Sequence, residues 1–181
     1  RVGVLSGLLA YTRRDAHETD TQGTRTGEEV TPVGNPAVPT LVYSSRTMAN
    51  PQTIGSDALL AKLVWDVTPD QTLGLTYDGY RMEMDADVLS GRATRTVAAP
   101  PTAATAVLAL RAEDETRHDR VQLDWRSRGA FGLDRTHVAA YWQDAETRQF
   151  TFEDRVGVDR TRDNHFNNRV HGLAADAGKT L

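Results

Sequence analysis

The chain has 181 residues, a formal net charge of -4, 39% hydrophobic residues and no cysteine. That balance argues against a nucleic-acid partner, whose electrostatic footprint is a basic stripe. It also excludes disulfides and cysteine-based metal sites, and no run of about 18 apolar residues exists to form a transmembrane helix.

Residues 2–14 read as a first strand, with Leu5, Leu9 and Tyr11 on one face. Residues 15–55 form a long polar link rich in Thr, Gly, Pro and Asn. Links of this length are functional or disordered in compact proteins. A hairpin follows. Leu59, Ala61, Leu63, Trp65 and Val67 alternate with Leu60, Lys62, Val64 and Asp66, and Thr68-Pro69-Asp70 makes a turn. Leu73, Leu75 and Tyr77 then alternate with Gly74, Thr76 and Asp78. Period-two alternation marks a strand with one apolar face.

Residues 82–116 read as a second long link. Pro100-Pro101 stops any strand, and the alanine-rich residues 102–115 predict a short helix that Thr102 could cap. Met82, Met84 and the carboxylates near them are expected to carry the third strand some way past its apolar portion. Residues 117–126 make the cleanest strand, with Val121, Leu123 and Trp125 opposite Arg120, Gln122, Asp124 and Arg126. A short link with two glycines leads to residues 135–144, where Val138, Ala140 and Trp142 oppose His137, Tyr141 and Gln143. Residues 145–168 read as a third long link and 169–177 as a sixth, weaker strand.

Long and short links therefore alternate. Transmembrane β-barrels show this asymmetry, with short periplasmic turns and long extracellular loops. Trp65 and Trp125 fall just before short links on the apolar face, at the depth of an interfacial girdle, and Trp142 falls toward the long-link end. A soluble antiparallel sandwich gives the same alternation with its apolar face packed inward. It remains the alternative reading: a soluble or surface-exposed β-rich binding module with no transport role. The fold class expected is all-β, an antiparallel transmembrane β-barrel segment of about six strands. Six strands cannot close a barrel of known size, and both ends look cut, so residues 1–181 are expected to be part of a longer polypeptide.

Several stretches carry a family likeness. "LLAYTRRDAHETDTQG", "SDALLAKLVWDVTPDQTLGLTYDGYR", "DVLSGR", "RHDRVQLDW", "YWQDAETRQFTFEDR" and "DRTRDNHFNNRVHGL" resemble the barrel of TonB-dependent outer-membrane receptors, closest to those for haem, hemoglobin, transferrin and lactoferrin. The resemblance runs from about residue 8 to 173. It implies a 22-stranded barrel closed by an N-terminal plug, a bacterial outer-membrane location, and TonB-driven uptake of haem or another iron source. The implied partners are a haem or hemoglobin-like iron source, outer-membrane lipid, and a TonB complex reached through regions outside this chain. The family's FRAP-like and NPNL-like segment does not occur here, so no haem-ligating residue carries over.

No catalytic motif is found: there is no GxSxG, no Walker loop, and His17-Glu18 lacks the second histidine of HExxH. The expected reading is not an enzyme, with no intrinsic cofactor and no metal site; haem enters only as a transported ligand. His17 and His165, in or beside long links, are the candidate ligand-binding residues, since neutral imidazole is a common metal ligand. Solvated loop histidines would look the same. His137 and His171 are expected to face a wet lumen. Asp154, Asp159, Asp163 and Asn164 are interleaved with Arg155, Arg160 and Arg162, a mixed-charge surface rather than a tight oxygen cage for calcium.

Overall fold

The computed structural model describes residues 3–18, 29–31, 40–42, 49–93, 95–96 and 100–180. Among them the structure is all-β. The strands are β1 (Val4–His17), β2 (Glu29–Thr31), β3 (Thr40–Val42), β4 (Gln52–Thr68), β5 (Gln71–Asp87), β6 (Arg95–Thr96), β7 (Val107–Ser127), β8 (Arg135–Arg155) and β9 (Arg160–Gly178). Six of them form one sheet in the order β1-β4-β5-β7-β8-β9, every pair antiparallel. Neighbours in the sheet follow one another along the chain, apart from the short strands within the links. Those strands, β2, β3 and β6, join the first and second long links in a small three-stranded sheet.

The strands are longer than their alternating cores. β7 and β8 have 21 residues each and β9 has 19. The expected helix over residues 102–115 is absent. From Val107 onward this segment is strand, and Asp85 and Met84 of β5 pair with Glu113 and Asp114. Alanine and leucine favour helix only weakly, and a ready sheet neighbour overrides that preference. The expected third long link is also absent. β8 runs on to Arg155, β9 begins at Arg160, and a tight link over residues 156–159 joins them. Strict alternation of link lengths therefore fails at this junction, although the first two long links stand.

At the tight end, the β4–β5 turn is Pro69-Asp70, and Arg128 N–H donates to the Asp70 carbonyl at 2.8 Å. The β7–β8 link is bent by Gly129 and Gly132 at φ 76° and 72°, and Phe131 between them sits at φ 56°. That left-handed backbone costs a bulky residue about 1–2 kcal/mol. At the opposite end the links close onto the sheet. Val88 N–H donates to Leu110 O and Asp87 N–H to Pro51 O at 2.8 and 2.9 Å, and Val156 and Gly157 N–H reach Ala106 O and Ala104 O at 3.1 and 3.0 Å.

Little is buried. Among the described residues only Ala86 and Ala139 are buried apolar side chains, while Leu5, Leu9, Leu63, Leu75, Leu123 and Leu173 are exposed. The sheet's two faces, rather than an interior, hold its chemistry. Among the described residues no helix is long and apolar enough to cross a membrane.

Candidate functional site

Cross-strand partners point to the same face of a sheet, so the register assigns every side chain to a row. On one face, here called outward, the first row is Leu5–Trp65–Leu73–Trp125–Val138–Ala175. The second is Gly7–Leu63–Leu75–Leu123–Ala140–Leu173, and the third is Leu9–Ala61–Tyr77–Val121–Trp142–His171. These rows form a continuous apolar band. His171 is its one strongly polar member and lies on Trp142's face, not on the polar face where the sequence placed it. Counting along β9 through residues with no clear apolar period hid that parity.

Aromatic rings mark both borders of the band. Trp65 and Trp125 share the first row through Leu73, as their sequence positions predicted. Phe131, 85% exposed, meets Trp125 edge-on with centroids 6.3 Å apart. Tyr11, Tyr77 and Trp142 stand at the long-link border.

That border crosses the strands obliquely. The unbroken apolar run of the outward face ends at Tyr11 on β1 and Leu59 on β4, in the fourth row. It ends at Tyr77, Val121 and Trp142 on β5, β7 and β8, in the third, and at Leu173 on β9, in the second, with Phe150 and Phe152 of β8 standing apart farther out on the same face. A drop of two rows is about 13 Å, and five inter-strand steps are about 24 Å. The strands are thus inclined at about 30° to the normal of the band.

Charge begins at once beyond the border. The fourth row ends Asp119–Asp144–Arg169, and the fifth is Arg13–Asp57–Arg81–Arg117–Glu146–Asn167. Asp119 is the anchor of this rim. It accepts from Tyr77 Oη at 2.7 Å, from Arg81 Nη2 at 3.0 and 2.9 Å, and from Arg117 Nε at 2.9 Å. Arg169–Asp144 at 3.1 Å and Arg148–Asp163 at 2.9 Å extend the pairing to β9. Arg117 and Asp119, two apart on one strand, and Arg81 across from them were the available sequence signal for this node. Charge on an otherwise apolar face was the clue.

The opposite face is polar along β5–β9. His137 lies between two carboxylates, with Nε2 3.0 Å from Asp124 Oδ1 and Nδ1 3.0 Å from Asp176 Oδ1. Gln122 Nε2 donates to Asp124 at 3.0 Å, Arg120 Nη2 donates to Gln122 Oε1 at 2.8 Å, and the Arg120 guanidinium lies over the Tyr141 ring at 5.0 Å. The result is a hydrogen-bonded ladder along β7. His137 faces the polar side, as its sequence position indicated.

The two candidate ligand histidines sit on strands rather than in loops. His17 ends β1, its Nδ1 2.8 Å from Glu18 O, and with Glu18, Gln52, Asp87, Arg111 and Glu113 it lines a cavity of about 470 Å³. Glu18 Oε2 accepts the Gln52 N–H at 3.0 Å, and this backbone hydrogen bond lowers the Glu18 pKa. His165 lies within β9, Nε2 3.1 Å from Asp163 Oδ1. β1 and β9 are the two edges of the sheet, so the histidines stand about 24 Å apart by strand count and do not form one site. Asp154, Asp159, Asp163 and Asn164 do not converge either: Asp159 accepts the Arg155 N–H at 3.1 Å and Asp163 pairs with Arg148. Among the described residues no cluster of three His, Cys, Asp or Glu could hold a metal.

No family model matches the chain, and no curated protein matches it.

Proposed function

We propose that this chain is an arc of the wall of a bacterial outer-membrane β-barrel, a TonB-dependent receptor that imports haem or another iron source, with hemoglobin as one donor. One observation carries the membrane part: the apolar outward band, edged by aromatic rings, followed at once by charge, and crossed by inclined strands. Outer-membrane barrels combine an apolar band of about 25 Å, two aromatic girdles and strands tilted about 35–45°. Along β1, Leu5 to Tyr11 is about 20 Å, and the rings at each border extend it. The polar ladder opposite suits a wet lumen. Sandwich sheets also cross at about 30°, so it is the aromatic edges and the charge directly beyond them, together with the angle, that favour the membrane reading.

In this reading the short-link end is periplasmic and the long-link end is extracellular. The remaining strands and the plug lie outside the described sheet. In lipid every edge N–H and C=O must find a partner, so β1 and β9 are closed by further strands. Ligand capture falls to the extracellular end, where His17 and His165 stand on opposite sides of the arc. Capture there is binding and not catalysis, and differential contacts set its specificity. The iron-uptake part rests on the family likeness of the sequence.

The test uses the full-length protein. It should require detergent for extraction and migrate differently on gels when heated. A deletion strain should lose growth on haemin or hemoglobin as the sole iron source, and loss of TonB should reproduce the defect. A monomeric protein soluble without detergent would leave the soluble binding module. A barrel whose loss spares growth on both iron sources would leave uptake of another ligand.

A further inference from the structure

We infer that the inward face of the β8–β9 hairpin, on the polar side of the sheet, carries a binding site for the paired carboxylates of a flat apolar ligand such as haem, one carboxylate on each guanidinium of Arg160 and Arg162. The inference rests on the uptake reading above, in which this end of the sheet opens to the outside.

Acids and arginines are interleaved along this hairpin, and the strands sort them by sign. The register turns Glu153, Arg155, Arg160 and Arg162 inward, and Asp154 and Asp163 outward. Glu153 is buried and accepts from Arg155 Nε at 2.8 Å and pairs with Arg162 Nη2 at 3.4 Å. Arg155 closes over this acid, its side chain 20% exposed, while that of Arg162 is 48% exposed. Arg160, the cross-strand partner of Glu153, is exposed and has no ion pair among the described residues. Three guanidiniums thus stand over one buried carboxylate. Asp159 lies in the tight link and accepts the Arg155 N–H; counting it in still leaves one positive charge in excess. The rows Leu110–Glu153–Arg160 and Gln52–Ala86–Ala112–Thr151–Arg162 hold no other acid. The nearest inward carboxylate among the described residues, Asp114, is one row down and two strands across from Arg162, about 12 Å by strand spacing. That is beyond the screening length of about 8 Å in physiological salt.

The spacing selects the ligand. Arg160 and Arg162 are two residues apart on one strand, so their side chains leave the same face about 7 Å apart. Each guanidinium presents a planar fork that takes a carboxylate through two parallel hydrogen bonds. Arg162 is held toward Glu153, so the two forks do not close on one point, and two carboxylates suit them better than a single phosphate. Beside them the wall turns apolar. Ala112 and Ala86 share the row of Arg162, and Met84 follows in the next. These side chains can take the body of a ligand without desolvating a charge. Haem has this make-up, with two propionate carboxylates on one edge of a flat apolar ring. His17 and His165 stand on the outward face, so this site is distinct from either.

The test titrates detergent-purified full-length protein with haemin and with haemin dimethyl ester, whose carboxylates are blocked, read by Soret absorbance. Arg160→Gln, which breaks no ion pair, and Arg162→Gln should each weaken haemin about tenfold, the worth of one charge-assisted contact. Arg160→Lys should recover part of that, since the charge returns without the fork. The dimethyl ester should bind wild type more weakly than haemin does and be indifferent to all three changes. Variants that bind haemin like wild type, in a protein that still needs detergent and is still heat-modifiable, overturn the site and leave the uptake reading intact. Displacement of haemin by equimolar inorganic phosphate overturns the carboxylate assignment. A wild-type protein that binds no haemin overturns the haem reading and the site together.

Discussion

The two faces of the sheet are built from the same strands, yet they follow opposite rules. Outward, three rows of side chains are apolar, largely exposed, and held together only by lateral contact. On the other face, charged and amide groups satisfy one another from Arg120 through Gln122 and Asp124 to His137 and Asp176. A soluble sheet hides its apolar face and wets the other. Among the described residues the apolar face has no cover, while the polar face carries its own hydrogen-bonded ladder, with His118 Nε2 alone on it buried and without a partner. In the proposed reading, the medium that matches this difference lies outside the wall and is apolar only over a narrow height.

The sharpest way to break that contrast is a charge at mid-band. Leu123→Arg should cost the full-length protein in lipid about 2–4 kcal/mol. Thr76→Arg, one row away on the polar face between Lys62 and Gln122, should stay within about 0.5 kcal/mol. Urea unfolding in lipid vesicles measures both, and equal costs would erase the distinction between the faces. The next effect lies on the polar face. Tyr141 lies over Gly172, its cross-strand partner, and a Cβ at Gly172 would overlap the ring. Gly172→Val should cost about 1–3 kcal/mol by overpacking, and Tyr141→Ala in the same chain should return most of it.

A smaller effect is expected at Phe131, where an exposed ring is kept despite a left-handed backbone. Phe131→Ala keeps the strain and loses the ring. Phe131→Gly loses the ring but relaxes the backbone, and should be the more stable of the two by about 1 kcal/mol. The reverse order would mean that φ at this position is not fixed. The smallest is a titration. The Gln52 N–H holds the Glu18 carboxylate below its ordinary pKa. A depressed carboxylate contributes above its unfolded value and loses that contribution as pH falls through the folded one. The Gln52 amide shift should therefore titrate with a midpoint below the ordinary glutamate value, and an unshifted midpoint would remove this clasp between β1 and β4.

The sequence made the sheet legible wherever only one face was apolar. Leu59–Trp65, Leu73–Tyr77, Val121–Trp125 and Val138–Trp142 each announce both strand and face. Beyond the rim the outward face turns charged, as at Glu83, Asp85, Glu113 and Glu115, while Met84, Ala86 and Ala112 stand on the other, so the apolar row that marks the face is lost. Glu83–Asp87 and Glu146–Arg155 therefore read as link and Glu113–Glu115 as the end of a helix, although the backbone ladder and pairs such as Arg148–Asp163 keep them extended. The Asp119 node was hidden for a related reason: it depends on Arg81, 38 residues away in sequence. His17 and His165 drew notice as chemistry, but only the strand order shows that they occupy opposite edges.

The tight link between β8 and β9 has a mechanical consequence. Its Val156 and Gly157 amides are bonded to Ala106 and Ala104, the approach to β7. A Cβ at Gly157 would press on the Ala104 carbonyl, so the joint has no slack. A load on the hairpin tip therefore reaches the residues entering β7 as well. Force applied at one point is shared by three strands, β7, β8 and β9, where they meet at this end of the sheet.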